Sequence, residues 1–221
     1  MRRVSRCAVL GFLGLSVQLA SSSLAAQTPT GARHSLWSLS GKTNTVYLLG
    51  SVHFLSPKEK LPEAMEAAYE DAEALVMEID MDDLDPLEMQ KVALELGVLP
   101  AGETLQKYLG EDAYATVAQK AREIGIEPAM LDRFRPWFAA LTLVQLHLMK
   151  MGLDPNSGVE QRLAVRAASD GKQIEGLESL REQLGILAAL PDAQQREFLM
   201  YSVEDTERAT REIDTMIKAW R

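Results

Sequence analysis

The sequence predicts a mixed α/β fold of the α+β kind, in which a β-sheet core carries a large helical insertion. Two short apolar runs within residues 35–49 are separated by turn formers, which is typical of a β-hairpin. Between residues 45 and 79 a strand, a helix and a strand follow one another closely, as in a right-handed crossover between parallel strands. From residue 85 onward, helices bounded by proline and glycine replace the strands.

The first half of the chain justifies the hairpin and the crossover. Residues 35–39 and 45–49 flank a Gly-Lys-Thr-Asn segment, whose residues favour a tight turn. Pro62 suits the first turn of a helix, and small or apolar side chains then recur at helical spacing up to Ala72. The apolar run of residues 74–79 predicts the second parallel strand.

Helices with clear start and stop signals dominate the second half. Three of them, predicted over residues 85–97, 111–124 and 136–152, make up a helical lobe of about residues 85–152. The longest is expected to bury one apolar stripe, formed by Trp137, Leu141, Val144 and Leu148. After the lobe we expect a helix from Val159 to just before Gly171, a short strand over 172–176, and one or two helices over 192–221.

The N-terminal residues have the features of an export signal. Three arginines precede an apolar run over residues 8–20, and small residues close it. Ser23 and Ala25 occupy the two positions that a signal peptidase reads, which predicts a signal peptide of residues 1–25. The run is too short to span a bilayer unaided, although an uncleaved anchor is the alternative. We expect the processed chain to be periplasmic or secreted, with no stable membrane span.

Composition excludes several kinds of site and partner. The single cysteine, Cys7, lies in the predicted signal peptide, so the remaining residues hold no disulfide, thiolate metal site or cysteine nucleophile. The signal peptide carries three arginines and no acidic residue, so its removal changes the net charge from -9 to -12. A chain this acidic is a poor partner for nucleic acid and for anionic lipid, and we expect neither.

One histidine is placed where open α/β sheets bind ligands. The strand over residues 45–49 continues into Gly-Ser-Val-His, so His53 emerges just past its carboxyl end. A lone Gly-x-x-His pattern is also typical of a histidine that only satisfies local backbone groups. The meaning of His53 therefore depends on the residues that join it in the fold.

A carboxylate interrupts the next apolar strand. Glu78 lies within residues 74–79, and burying a charge without a partner costs several kcal/mol. If the two strands are parallel neighbours, Glu78 and His53 lie at one sheet edge, close enough to bind one metal ion or to share a proton. Alternatively, Glu78 only begins the acidic loop of residues 80–83.

Two further charged residues stand next to predicted helix starts. Arg135 precedes Pro136, where it either clamps a substrate carboxylate or pairs with Glu78 or Glu160. Glu160 lies in the first turn of the helix that begins at Val159. That position stabilises negative charge, so Glu160 is either a site residue or a partner of the helix dipole.

The ordered set of these motifs resembles the TraB/GumN family, also called the TIKI/TraB/PrgY superfamily. The match runs across almost the whole processed chain, through Leu36-Trp37, residues 47–53, 76–79, 135–137, 152–154, 158–160 and 176–178. The resemblance implies a mixed sheet with a helical insert. It also implies a metal-dependent peptidase centre built from two Gly-x-x-His motifs and an acidic residue.

Carried onto this chain, the resemblance implies that His53 is the first histidine and Glu78 the acidic residue. We expect His53, Glu78 and Glu160 to be catalytic and to hold a divalent metal ion, Mn, Co or Zn, while Arg135 binds substrate. No second Gly-x-x-His follows in the sequence, so the domain of residues 26–221 is expected to be C-terminally incomplete.

Three functional hypotheses follow. The first is an exported hydrolase or peptidase that depends on a metal ion. The second is a non-catalytic periplasmic module that binds a peptide or a haem-like ligand in the same cleft; haem would need an axial ligand that faces a wide apolar pocket. The third is an inactive fragment. The first is our leading hypothesis, and the other two are the alternatives.

Overall fold

The structure is a computed structural model. The residues that it describes contain a five-stranded sheet and nine α-helices. These are residues 6–9, 34–81, 84–204 and 206–220, with 6–9 and 206–210 described by their backbone alone. The strands are β1 (Arg6–Val9), β2 (Leu36–Ser40), β3 (Thr45–Leu49), β4 (Ala74–Met77) and β5 (Gln173–Gly176). The helices are α1 (Glu63–Asp71), α2 (Pro86–Gly97), α3 (Leu105–Leu109), α4 (Glu111–Glu123), α5 (Pro136–Lys150), α6 (Val159–Asp170), α7 (Leu180–Ala188), α8 (Asp192–Glu204) and α9 (Thr206–Trp220).

The strands lie in the order β2-β3-β1-β4-β5, which confirms the mixed α/β fold class. Strands β2 and β3 form the predicted antiparallel hairpin, closed by a hydrogen bond from the Gly41 amide to the Asn44 carbonyl oxygen at 2.7 Å. All other pairings are parallel. Strands β3 and β4 therefore run in the same direction, as predicted, but they are not neighbours, because β1 pairs with both of them.

Strand β1 falls within the segment that the sequence predicts to be a signal peptide. Its residues pair in register with residues 46–49 on one side and with residues 74–76 on the other. The predicted cleavage after Ala25 stays a prediction. A processed chain, however, would lack this strand, and the hydrogen bonds that join β3 to β4 through it would be lost.

Most predicted helices form, and their ends follow the expected chemistry. Asp85 caps α2 by accepting a hydrogen bond from the Leu87 amide at 2.9 Å, and α6 ends at Gly171 in the left-handed conformation, with φ of 69°. Helices α3 and α7 were not predicted from the sequence. Helix α7 carried a signal, because Ser179 and Glu182 form a capping box at its start. In the described part of the chain, no helix is both long and apolar enough to cross a membrane.

Two buried apolar clusters divide the molecule. The sheet half comprises the sheet with α1, α6 and the end of α9, and its core includes Leu75, Tyr69, Leu163 and Trp220. The helical half comprises α3, α4, α5 and α8, and its core includes Leu109, Val117, Leu143 and Leu199. Helix α8, which follows the predicted lobe in sequence, packs against α5 and so belongs to the helical half.

The face that α5 buries differs from the predicted stripe. Trp137 is fully buried, but Val144 is 38% exposed, and the covered positions are Ala139, Ala140 and Leu143. Helix α8 packs against α5, and small alanines let two helices approach closely. Because nearly every side of α5 is apolar, its sequence could not indicate which face would be covered.

Candidate functional site

Backbone contacts constrain the loop that carries His53 at the point where it leaves β3. The Gly50 amide donates a hydrogen bond to the Ser35 carbonyl oxygen at 2.7 Å. A Cβ atom on Gly50 would lie 2.9 Å from the Cβ of Ser35, so this exit from the strand has no room for a side chain. Val52 and Leu55, on either side of His53, are buried and anchor the loop to the core.

The segment before α6 holds the same loop from the other side. The Val159 amide donates to the Val52 carbonyl oxygen at 3.0 Å, and the Asp154 amide donates to that of Leu55 at 2.9 Å. Gly158 lies so close that a Cβ there would be 2.2 Å from the carbonyl oxygen of His53. The Gly-Val-Glu motif thus has a physical explanation, because its glycine allows the start of α6 to touch the His53 backbone.

This contact brings His53 and Glu160 together. His53 Nδ1 lies 3.1 Å from Glu160 Oε1, within hydrogen-bonding distance. The histidine side chain is 67% exposed and the glutamate 13% exposed, so a nearly buried carboxylate holds a ring that solvent reaches. Because Nδ1 contacts Glu160, Nε2 is the ring nitrogen that can exchange a proton with a ligand.

The pair shifts the pKa values of both groups. The hydrogen bond to Glu160 raises the pKa of His53; burial lowers it, and the negative charges of Glu160 and Glu78 raise it, so it ends above its ordinary value. Burial alone would raise the pKa of Glu160. The hydrogen bond and the charge of His53 outweigh that effect, with help from the Ser51 hydroxyl, and the pKa of Glu160 ends below its ordinary value.

Glu78 directly follows β4 and is held by a residue that the sequence analysis missed. Its Oε2 accepts a hydrogen bond from Gln183 Nε2 at 2.9 Å, and the same amide lies 3.4 Å from Glu178 Oε1. Gln183 lies on α7, one residue after the capping box, so recognising that box would have indicated a helix here. It would not have indicated that the helix reaches Glu78.

These residues share one cavity at the carboxyl edge of the parallel strands. It has a volume of about 280 Å³, and its polar lining includes His53, Glu78, Glu160 and Gln183. Phe54, Ile79 and Met81 are among the residues that form its apolar wall. Three predicted site residues therefore meet around one space, which is the position expected for a ligand site in an open α/β sheet.

The three residues predicted to hold a metal ion do not form one ligand group here, and the metal ion stays a prediction. Among the residues that the structure describes, no three His, Cys, Asp or Glu side chains are grouped so that they could hold a metal ion together. Instead His53 Nδ1 and Glu160 Oε1 contact each other, and Glu78 is bound by Gln183. The arrangement is a histidine–carboxylate pair with a second carboxylate nearby, which suits proton transfer.

Arg135 contacts residues of the helical lobe. Its amide donates to the Gly97 carbonyl oxygen at 2.7 Å. The hydrogen bond to Asp192 raises the pKa of Tyr108, burial raises it further, and the positive charge of Arg135 acts against both. Arg135 does not line the cavity that contains His53 and Glu160. Its predicted role in substrate binding stays a prediction.

A sequence model described as the TraB/PrgY/gumN family matches residues 35–221. The chain belongs to this family. The match begins just before β2 and includes every residue of the cavity, which agrees with the resemblance inferred from the motifs.

Two curated relatives carry the name "Uncharacterized protein YbaP", one from Escherichia coli (strain K12) and one from Shigella flexneri. Each is 27% identical over 147 residues, which cover 66% of this chain and 53% of the relative. The chain thus spans about half the length of the curated relatives that it matches. No solved structure matches it.

Proposed function

We propose that this TraB/PrgY/gumN family member is an exported hydrolase of peptide bonds that uses His53 and Glu160 as an acid–base pair. The observation that carries the proposal is the 3.1 Å contact between His53 Nδ1 and Glu160 Oε1, beside a cavity of about 280 Å³. A histidine oriented by a carboxylate through one ring nitrogen is the usual way to prepare the other nitrogen as a general base.

In this mechanism Glu160 accepts a hydrogen bond from Nδ1–H of His53, which leaves the unprotonated Nε2 as the base. Nε2 takes a proton from water while the water oxygen bonds to the peptide carbonyl carbon. The imidazolium, stabilised by Glu160, then returns that proton to the amide nitrogen as the C–N bond breaks. The residues present do not form the predicted three-ligand set, so no step is assigned to a metal ion.

The test is cleavage of a synthetic peptide mixture by the full chain in H₂¹⁸O, followed by mass spectrometry. Hydrolysis places ¹⁸O in each new carboxyl group. We expect His53→Gln and Glu160→Gln to reduce the cleavage rate about 100-fold or more, as is usual when general acid–base catalysis is removed. His34→Gln, a matched histidine variant outside the cavity, should retain the wild-type rate.

Two results would overturn the proposal: no cleavage by the wild-type chain, or cleavage that survives both site substitutions. The same assay with a chelator and with added Mn²⁺, Co²⁺ or Zn²⁺ tests the ion that the family resemblance implies. A strict requirement for one of these ions would replace the metal-free mechanism with a metal-dependent one.

The apolar wall of the cavity supports a second function, which is binding without cleavage. Phe54, Ile79 and Met81 offer a surface on which a peptide or a haem-like ligand could pack. Stoichiometric binding of a peptide with no ¹⁸O incorporation would favour this function over hydrolysis.

A further inference from the structure

A second and larger cavity adjoins the candidate site. It has a volume of about 820 Å³ and lies between the start of α2 and the start of α7, beyond the ends of β4 and β5. Ile79 lines both cavities. Its two chain neighbours divide between them, since Glu78 lines the site cavity and Asp80 the larger one.

The two cavities adjoin along one cleft, because Glu78 and Asp80 are separated in the chain only by Ile79, which lines both. Gln183 connects the two cavities. Its amide nitrogen lies 2.9 Å from Oε2 of Glu78, in the site cavity, and 3.4 Å from Oε1 of Glu178, which lines the larger cavity. A peptide bound at His53 would therefore extend into this space within a few residues.

The lining of the larger cavity is acidic. It contains four carboxylates and one guanidinium, namely Asp80, Asp85, Glu88, Glu178 and Arg181. The N-termini of α2 and α7 add about half a positive charge each, so about two negative charges remain in excess. Arg181 lies between the lining and Glu95, since its Nη2 lies 3.9 Å from Glu88 Oε1 and 2.6 Å from Glu95 Oε2. Lys91, outside the lining, lies with its Nζ 3.4 Å from Glu88 Oε2.

Apolar side chains complete the lining. Leu84, Met89, Val92 and Leu180 are part of it, and Met89 is 37% exposed. A space with an apolar surface and a carboxylate-rich rim suits the side chains of lysine and arginine. Their hydrocarbon stems pack on apolar groups, while the charged head stays with polar partners.

We propose that this acidic cavity is a specificity subsite that accepts a lysine or arginine side chain of a peptide ligand. The proposal rests on the function assigned above to His53 and Glu160, and it names the substrate class of that site as basic peptides. A neutral side chain of equal length gains only the apolar contacts, whereas a cation also gains charge-assisted hydrogen bonds to carboxylates.

The test uses fluorescent hexapeptides of alanine in which one residue, X, is lysine, arginine, norleucine or glutamate, scanned through all six positions. We expect one position at which lysine and arginine lower the Kd about tenfold relative to norleucine. Glutamate at that position should bind most weakly. The preference should shrink at high salt, because salt screens exposed charges.

Two double variants separate the cavity from the overall charge of the protein. Asp85→Asn with Glu88→Gln removes two carboxylates of the lining, and the asparagine keeps an oxygen that can cap α2. We expect this variant to abolish the preference for lysine without changing the Kd for norleucine. Glu73→Gln with Glu103→Gln removes the same charge from two exposed positions, and it should leave the preference intact.

The outcomes distinguish this proposal from the function on which it rests. Selective binding of basic peptides that are not cleaved supports the subsite and contradicts the hydrolase. Cleavage with no preference for a basic residue supports the hydrolase and overturns the subsite. A preference that persists in the Asp85→Asn, Glu88→Gln variant also overturns it.

Discussion

The sheet half and the helical half contain the same kind of polar contact, but they differ in whether they line the candidate site. Each contains a tyrosine bonded to an aspartate: Tyr69 donates to Asp170 at 2.8 Å in the first, and Tyr114 donates to Asp132 in the second. Burial, followed by the hydrogen bond to aspartate, raises the pKa of both tyrosines to about 12. Both halves therefore contain a partly buried hydrogen bond between a tyrosine and an aspartate.

The two halves differ in their contribution to the candidate site. The cavity around His53 and Glu160 is lined by loops of the sheet half, by the end of β4, by the first turn of α6 and by α7, and none of its lining residues comes from residues 85–152. Carboxyl ends of parallel strands leave a crevice that loops can line, whereas packed helices fill the space between them. The comparison shows that the helical lobe contributes none of the lining of the cavity that contains His53 and Glu160.

The largest expected effect comes from deleting residues 1–25, which removes β1. Backbone groups of β3 and β4 that pair with β1 would lose their partners. We expect hydrogen exchange at these strands to accelerate by about 1000-fold, because exchange reports local opening, while α4 and α5 stay protected.

Deletion of residues 2–5 is the matched control, since it leaves β1 in place and should leave exchange unchanged. Equal protection of β3 and β4 in the chain of residues 26–221 and in the full chain would contradict the role given to β1. It would also be the behaviour expected of a natural processed form.

Large-to-small substitutions in the two cores should cost similar stability but affect the site differently. Leu163→Ala and Leu199→Ala each empty a buried position and should lower the free energy of unfolding by about 3 kcal/mol. Leu163 lies on α6, three residues after Glu160, so its loss should also shift the pKa of His53. Chemical denaturation measures the first effect and NMR titration the second. An equal pKa shift in Leu199→Ala would mean that the halves are not independent.

Alanine substitutions at two glycines test the close approach of Gly158 to the His53 backbone, which forms the site. A Cβ at residue 158 would lie 2.2 Å from the His53 carbonyl oxygen, whereas one at Gly185 meets nothing within 4 Å. We expect Gly158→Ala to destabilise the protein by about 1–3 kcal/mol through overpacking and to weaken the contact between His53 and Glu160. Gly185→Ala in α7 should be neutral or stabilising by up to about 1 kcal/mol. Thermal unfolding that ranks the two variants in the opposite order would refute this account of Gly158.

The smallest effect concerns pH. The pKa of His53 is raised above 6.5, so its contribution to stability is complete below pH 6.5 and is lost as pH rises through the raised value. The pKa of Glu160 is lowered below 4.5, so its contribution is complete above pH 4.5 and is lost as pH falls through the lowered value. The pair is therefore most stabilising between these two limits.

Because His53 is largely exposed, we expect the pair to contribute only about 0.5–1 kcal/mol within that window. Glu160→Gln should lower the pKa of His53 in an NMR titration and should flatten the pH dependence of the unfolding free energy. Glu73→Gln, an exposed glutamate variant, should change neither quantity. An unchanged pKa of His53 in Glu160→Gln would show that the pair does not form in solution.

Local signals in the sequence were sufficient for much of the fold. The hairpin, α1 and α6 depend on spacing, turn formers and caps within a few residues, such as Gly171 at the end of α6. The same holds for part of the site. His53 follows a strand end and Glu160 begins a helix, and both positions are readable from neighbouring residues.

What the sequence determined by itself was therefore most of the elements and the residues at their ends, but not β1, α3 or α7. Only the tertiary structure decided that β1 separates β3 from β4, that α5 buries Ala139 and Ala140, and that Gln183 holds Glu78. The physical reason is that each of these depends on which distant element packs nearby. Spacing and caps act over a few residues, whereas packing is decided by surfaces that meet only when the chain has folded.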